Sequence, residues 1–146
     1  MYEPYSRQAL PSREYRQLLG SAICVFNSNN SFIIENILRI TDEVTWYQLI
    51  DKPSGKIKKI LKKNAETVPV EILDLFEALV EKRNRIIHSF QITIEDQSQL
   101  LATKTPIDDG NKQFRITKEY LMDFIKKNEQ LSDLLYDWRD SLRAMC

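Results

Sequence analysis

Cysteine, glycine, histidine and long apolar runs are all scarce in this chain, and each shortage excludes something. The 146 residues hold two cysteines, Cys24 and Cys146, too few for a disulfide framework. Cys24 lies in the apolar run SAICVF and reads as a small buried hydrophobe. Three glycines and five prolines exclude collagen-like and glycine-rich β architectures. No apolar stretch reaches the roughly 18–20 residues of a membrane span, and the start, MYEPYSRQALP, lacks the cationic-then-apolar pattern of a signal peptide. A reducing, cytoplasmic setting without membrane association is the expectation. An excess of either charge is also missing: 21 basic residues balance 21 acidic ones. That balance argues against coating nucleic acid by bulk charge, while leaving room for a local basic site. The single histidine, His88, rules out a multi-histidine metal site within one chain. It is also the only side chain whose unperturbed pKa falls near neutrality.

What is present is enough apolar material for one core, with 42% hydrophobic and 10% aromatic residues, and residues 1–146 read as a single domain. Pro4 and Pro11 block helix in residues 1–11, which read as an extended lead-in. Ser12 is placed to cap a helix in which Tyr15, Leu18, Leu19, Ala22, Ile23 and Phe26 recur at helical spacing. The polar stretch Asn27–Ser31 interrupts it, but Ile33, Ile37 and Ile40 resume the phase, which favours one long helix with a polar belt over a kinked pair. Trp46 and Tyr47 read as core residues of a short connector. Lys56–Asn64 reads as a helix with Ile57, Ile60 and Leu61 inward and five lysines outward, the densest positive patch in the chain. Pro69 opens the next helix, expected to reach about Phe90. Alternation in Gln91–Glu95 and Leu100–Thr105, the turn signal Asp108-Asp109-Gly110-Asn111 and Phe114-Arg115-Ile116 after it predict a small β-hairpin or meander over about 91–116. Thr117 then caps a last helix with an apolar stripe that includes Trp138. The expected class is all-α: a bundle of about four main helices with a β-hairpin inserted before the last.

The chemically informative segment is Leu79–Phe90. On a helical wheel centred on Ile72, the apolar residues Phe76, Leu79, Val80, Ile86, Ile87 and Phe90 lie within about 80°. Arg83 falls at about 20°, inside that arc. An unpaired buried charge costs several kcal/mol, so Arg83 needs a carboxylate, a cleft, a subunit interface or a bound anion. Glu35 and Asp42 are the candidate core carboxylates. His88 sits at about 160°, on the face it shares with Asn84. Arg83 and His88 are thus about 140° apart on a straight helix. They meet only if the arginine reaches around, the helix distorts near its end, or a second copy of the chain completes the site.

Arg83-Asn84-Arg85-Ile86-Ile87-His88 resembles the Arg-polar-x-x-x-His signature of HEPN domains (higher eukaryote and prokaryote nucleotide-binding). Its position late in a helix of a helical bundle is similar as well. The resemblance implies a HEPN-like bundle and a homodimeric, metal-independent endoribonuclease, without cofactor, in a toxin or phage-defence role, with RNA as substrate and an antitoxin as a further partner. Carried over, His88 is the acid/base for attack of the RNA 2′-OH on the adjacent phosphorus. Arg83 stabilises the developing charge, and Asn84 orients His88 or the phosphate. Arg85, Lys59, Lys62 and Lys63 are the basic residues placed to hold substrate. Cleavage would leave a 2′,3′-cyclic phosphate and a 5′-OH. Some family members carry a modifiable tyrosine two residues beyond the histidine; here Phe90 stands there. The alternative expectation is a non-catalytic HEPN-like module that binds RNA, a nucleotide or a protein partner.

Overall fold

The computed structural model describes residues 1–145. Five helices and three strands follow one another as α1 (Arg13–Ile40), α2 (Trp46–Ile50), α3 (Ser54–Lys63), α4 (Val70–Ile87), β1 (Phe90–Thr93), β2 (Gln99–Lys104), β3 (Gln113–Ile116) and α5 (Lys118–Ala144). The protein is mostly helical, as expected, and of the two expected forms of the β-segment, hairpin or meander, it takes the second: a three-stranded antiparallel sheet of order β1-β2-β3. The β1–β2 turn contains no glycine. Gln97 itself adopts the left-handed conformation there, with φ of 69°. The β2–β3 connection uses the expected Asp108–Asn111 segment, with Gly110 at φ 91°.

α1 is one unbroken helix of 28 residues, capped by the Ser12 hydroxyl, which accepts from Tyr15 N at 3.1 Å. α5 runs 27 residues from its Thr117 cap. The two are parallel: Tyr15 meets Ile116, Asn29 meets Asn128, and Asn36 meets Leu135. α4 packs antiparallel to both, with its start beside Trp138 and its later turns beside Phe26, Tyr120 and Asp123. Ile33, Ile37, Leu79, Leu131 and Leu135 fill the space between these three helices, around an aromatic cluster in which Phe26 stacks on Phe76 at 6.1 Å and tilts against Phe124 at 6.0 Å. α3 seals the α1–α4 side with Ile57 and Leu61. Trp138 is core, as expected.

The polar belt of α1 explains why the helix is continuous. Asn29 is buried and its Nδ2 donates to Asn128 O at 2.8 Å and to Asn128 Oδ1 at 3.1 Å. Asn128 Nδ2 returns to Phe124 O, and Ser132 Oγ donates to Asn29 Oδ1 at 2.7 Å. The belt is a seam between the two long helices and needs no break in the backbone. At the other end Tyr15 Oη donates to Ile116 O at 2.7 Å and accepts from Leu101 N at 3.3 Å. Leu101 and Ile116 are cross-strand partners, so one hydroxyl fastens the sheet to α1.

The lead-in is not extended. Met1 and Leu10 pair through their backbones, closing a loop whose Glu3 is buried between Arg13 and Arg16. Hydrogen bonds from Arg13 and then Arg16 hold the Glu3 carboxyl below its ordinary value of 4.5. Cys24 is exposed, against expectation, because it lies off the α1 face defined by Ala22, Phe26 and Asn29.

Two outcomes follow from these contacts. Asn128→Ala removes the partner of a buried amide and should lower unfolding free energy by about 1–3 kcal/mol, read as a lower urea midpoint with the helical CD spectrum retained. The Glu3 clasp has a depressed folded pKa. Its contribution is therefore present above the ordinary carboxylate value and is lost as pH falls through the folded one. Amide protection factors in residues 1–12, taken relative to the unstructured exchange rate at each pH, should fall on acidification, and Glu3→Gln should show the low protection already at neutral pH.

Candidate functional site

The motif residues sit where α4 ends and the sheet begins. α4 stops at Ile87, three residues before the expected boundary, and His88 is its C-cap, with φ −94° and ψ 31°. Its N–H still donates to Asn84 O at 2.9 Å. Ser89 Oγ donates to Ile86 O at 2.7 Å, and Phe90 already belongs to β1. The wheel angle of His88 is therefore that of a distorted terminus, not of a straight helix. The imidazole is exposed and makes no hydrogen bond among the described residues. Ile87 and Phe90 beside it are exposed apolar side chains, at 46% and 42%.

Arg83 is half-buried on α4 and has no carboxylate within ion-pair distance among the described residues. Neither Glu35 nor Asp42 reaches it. Its guanidinium lies over the Phe26 ring, with Cζ 5.8 Å from the centroid, and its Nη1 donates to Asn84 Oδ1 at the long distance of 3.5 Å. Contact with the π-face of the aromatic cluster explains how a cation occupies the apolar arc without an ion pair. The planar group retains unused donors.

The other predicted contacts divide. Arg85 Nη1 donates to Lys104 O at 2.8 Å, and its buried Nε lies 3.2 Å from Glu81 Oε1, near enough for an ion pair but poorly aligned for a hydrogen bond. Arg85 thus ties α4 to β2. Glu77 of α4 accepts Lys62 at 3.2 Å and has Lys58 at 3.7 Å, so Lys62 is partly neutralised. Lys63 lies 3.8 Å from Glu43, and Lys59 is exposed without a carboxylate partner. Glu77 precedes His88 by eleven residues, about 16 Å along α4. The structure gathers Arg83 and Asn84, places His88 one turn on, and leaves the lysines on a neighbouring helix.

Trp46 and Tyr47 are not core: they are exposed at 38% and 79%. The overlooked signal is Thr45-x-x-Gln48, a capping box in which Gln48 N donates to Thr45 Oγ1 and Thr45 N to Gln48 Oε1. A helix started there and ended at Ile50 turns Leu49 inward and leaves its first two residues outside.

A cavity of about 640 Å³ lies at the opposite end of α4, lined by Arg39, Val68, Pro69, Trp138, Leu142 and Met145 among others. Among the described residues, no group of three His, Cys, Asp or Glu side chains is placed to hold a metal ion, and no helix is long and apolar enough to cross a membrane. Comparison with protein-family models, curated proteins and solved structures finds no match to this chain.

The Arg85 contacts assign it to scaffolding. Arg85→Ala should cost about 1–3 kcal/mol through loss of a charged hydrogen bond, seen as a lower denaturation midpoint and faster amide exchange in β2. Lys59→Ala should stay within about 0.5 kcal/mol of wild type.

Proposed function

We propose that the protein is a HEPN-type endoribonuclease that needs no metal ion and acts as a homodimer, with a toxin or phage-defence role and an antitoxin partner. The observation that carries this reading is the half-buried Arg83 guanidinium without a carboxylate partner, one turn before an exposed histidine at a helix end. A structural arginine in an apolar arc normally closes an ion pair; this one keeps its donors for an anion. Exposed Ile87 and Phe90 flank His88 and fit a second copy of the chain closing over the site, which brings two imidazoles to one cleft.

In this mechanism one His88 accepts the proton of the RNA 2′-OH as the 2′ oxygen bonds to the adjacent phosphorus. The bond from phosphorus to the 5′ oxygen breaks, and the second imidazole returns a proton to that leaving oxygen. Arg83 donates to the non-bridging oxygens as their charge grows. Asn84, which accepts from Arg83, steers the guanidinium. The products are a 2′,3′-cyclic phosphate and a 5′-OH. The unanchored imidazole favours a second reading, a non-catalytic module that binds RNA, because a general base is usually oriented by a partner.

Incubation of the purified protein with total RNA in EDTA tests this. Fragments ending in 2′,3′-cyclic phosphate are expected, and His88→Ala should slow their formation by about 10²–10⁴-fold with the CD spectrum unchanged. Undiminished cleavage by that variant removes the mechanism. Retained RNA binding with no product in either protein supports the second reading.

A further inference from the structure

Two features outside the motif are linked by one contact, Lys63 with Glu43. The first is the Trp46–Tyr47 pair, whose rings meet edge to face at 5.6 Å. Both stand at the start of a five-residue helix held by the Thr45–Gln48 box and by buried Leu49. The second is α3. Its inward face is Ser54, Ile57 and Leu61, and its α4-facing side carries Lys58 and Lys62, both beside Glu77. The remaining lysines, Lys56, Lys59 and Lys63, recur at three- and four-residue spacing and so form one exposed row. Lys56 and Lys59 have no carboxylate partner among the described residues. Lys63 has only Glu43 at 3.8 Å, with both side chains 77% exposed. That contact also places the end of the row beside the segment leading into Trp46. Residues 41–64 carry six lysines against three carboxylates in a chain of zero net charge.

We propose that this row and the aromatic pair form a docking surface for single-stranded nucleic acid, with phosphates along Lys56, Lys59 and Lys63 and bases stacked on Tyr47 and Trp46. A row of cations beside exposed π-faces is the combination that holds a flexible strand without reading its sequence. A bilayer is the poorer fit. The aliphatic residues Ile57 and Leu61 of α3 are fully buried, so the helix has no apolar face to insert. As the substrate-holding surface of a ribonuclease, the site rests on the function proposed above. As a nucleic-acid surface it rests on its own residues. A probe without a 2′-OH separates the two.

The test is fluorescence anisotropy of a labelled 12-mer of oligodeoxythymidine with the full chain, across a salt series. The proposed cleavage chemistry cannot act on this probe, so binding is read whether or not the ribonuclease reading stands. Binding that weakens with salt is expected. Tyr47→Ala, at the most exposed ring, should weaken it about 5- to 100-fold. The variant with Lys56→Gln, Lys59→Gln and Lys63→Gln should reduce the slope of log affinity on log salt by about 2. Lys112→Gln with Lys126→Gln, exposed on other elements, should leave that slope nearly unchanged. Absence of binding at low salt, or equal binding by wild type, Tyr47→Ala and the triple variant, overturns the proposal. Tighter binding to phosphatidylserine vesicles than to the oligonucleotide, lost in the same variants, overturns it in favour of a membrane surface.

Discussion

The architecture depends on a polar seam between two long parallel helices. Asn29, Asn128 and Ser132 exchange side-chain and backbone hydrogen bonds at a place where apolar packing alone would allow α1 and α5 to slide by a turn. Buried amides lose several kcal/mol when unpaired, so only one register satisfies them. That register carries Tyr15 to the Leu101–Ile116 pair, closing the sheet on the base of α1. It also sets Phe26 among Phe76 and Phe124, the surface against which Arg83 rests. Core, sheet and motif are thereby placed by one set of contacts.

The motif occupies a junction between two kinds of order. Arg83 and Asn84 stand on a rigid helix packed against the aromatic core, whereas His88 is the residue at which helical hydrogen bonding gives out. In the proposed reaction the guanidinium held against a ring would stabilise charge and the imidazole exposed at the terminus would transfer protons. Arg85, in the middle of the motif, turns to the sheet and secures the helix end through Lys104 O. Arg83 and Arg85 thus meet different surroundings, because residues two positions apart on a helix point about 160° from one another.

Much of the candidate site was legible in order but not in geometry. The apolar arc on α4 and the anomalous cation within it follow from spacing as far as Ile86; Ile87 and Phe90, expected on the same arc, are exposed because the helix ends there. The absence of a carboxylate beside Arg83 does not follow from spacing, because Glu35 and Asp42 are equally compatible partners on a wheel. Likewise five lysines in one short helix read as a single patch. Only the packing of α3 on α4 assigns Lys58 and Lys62 to Glu77 and leaves Lys56 and Lys59 unpaired.

Local signals by themselves determined the helix caps at Ser12 and Thr117, the Asp108–Asn111 turn and the inward stripe that includes Trp138. Each depends on residues within a turn or two of one another, so chain order is sufficient. Tertiary structure alone decided the closed lead-in clasped on Glu3, the exposure of Cys24, Trp46 and Tyr47, and the end of α4 at Ile87. Those outcomes turn on which surfaces meet across distances of tens of residues, and hydrophobicity along the chain carries no record of the partner that covers, or leaves bare, a given side chain.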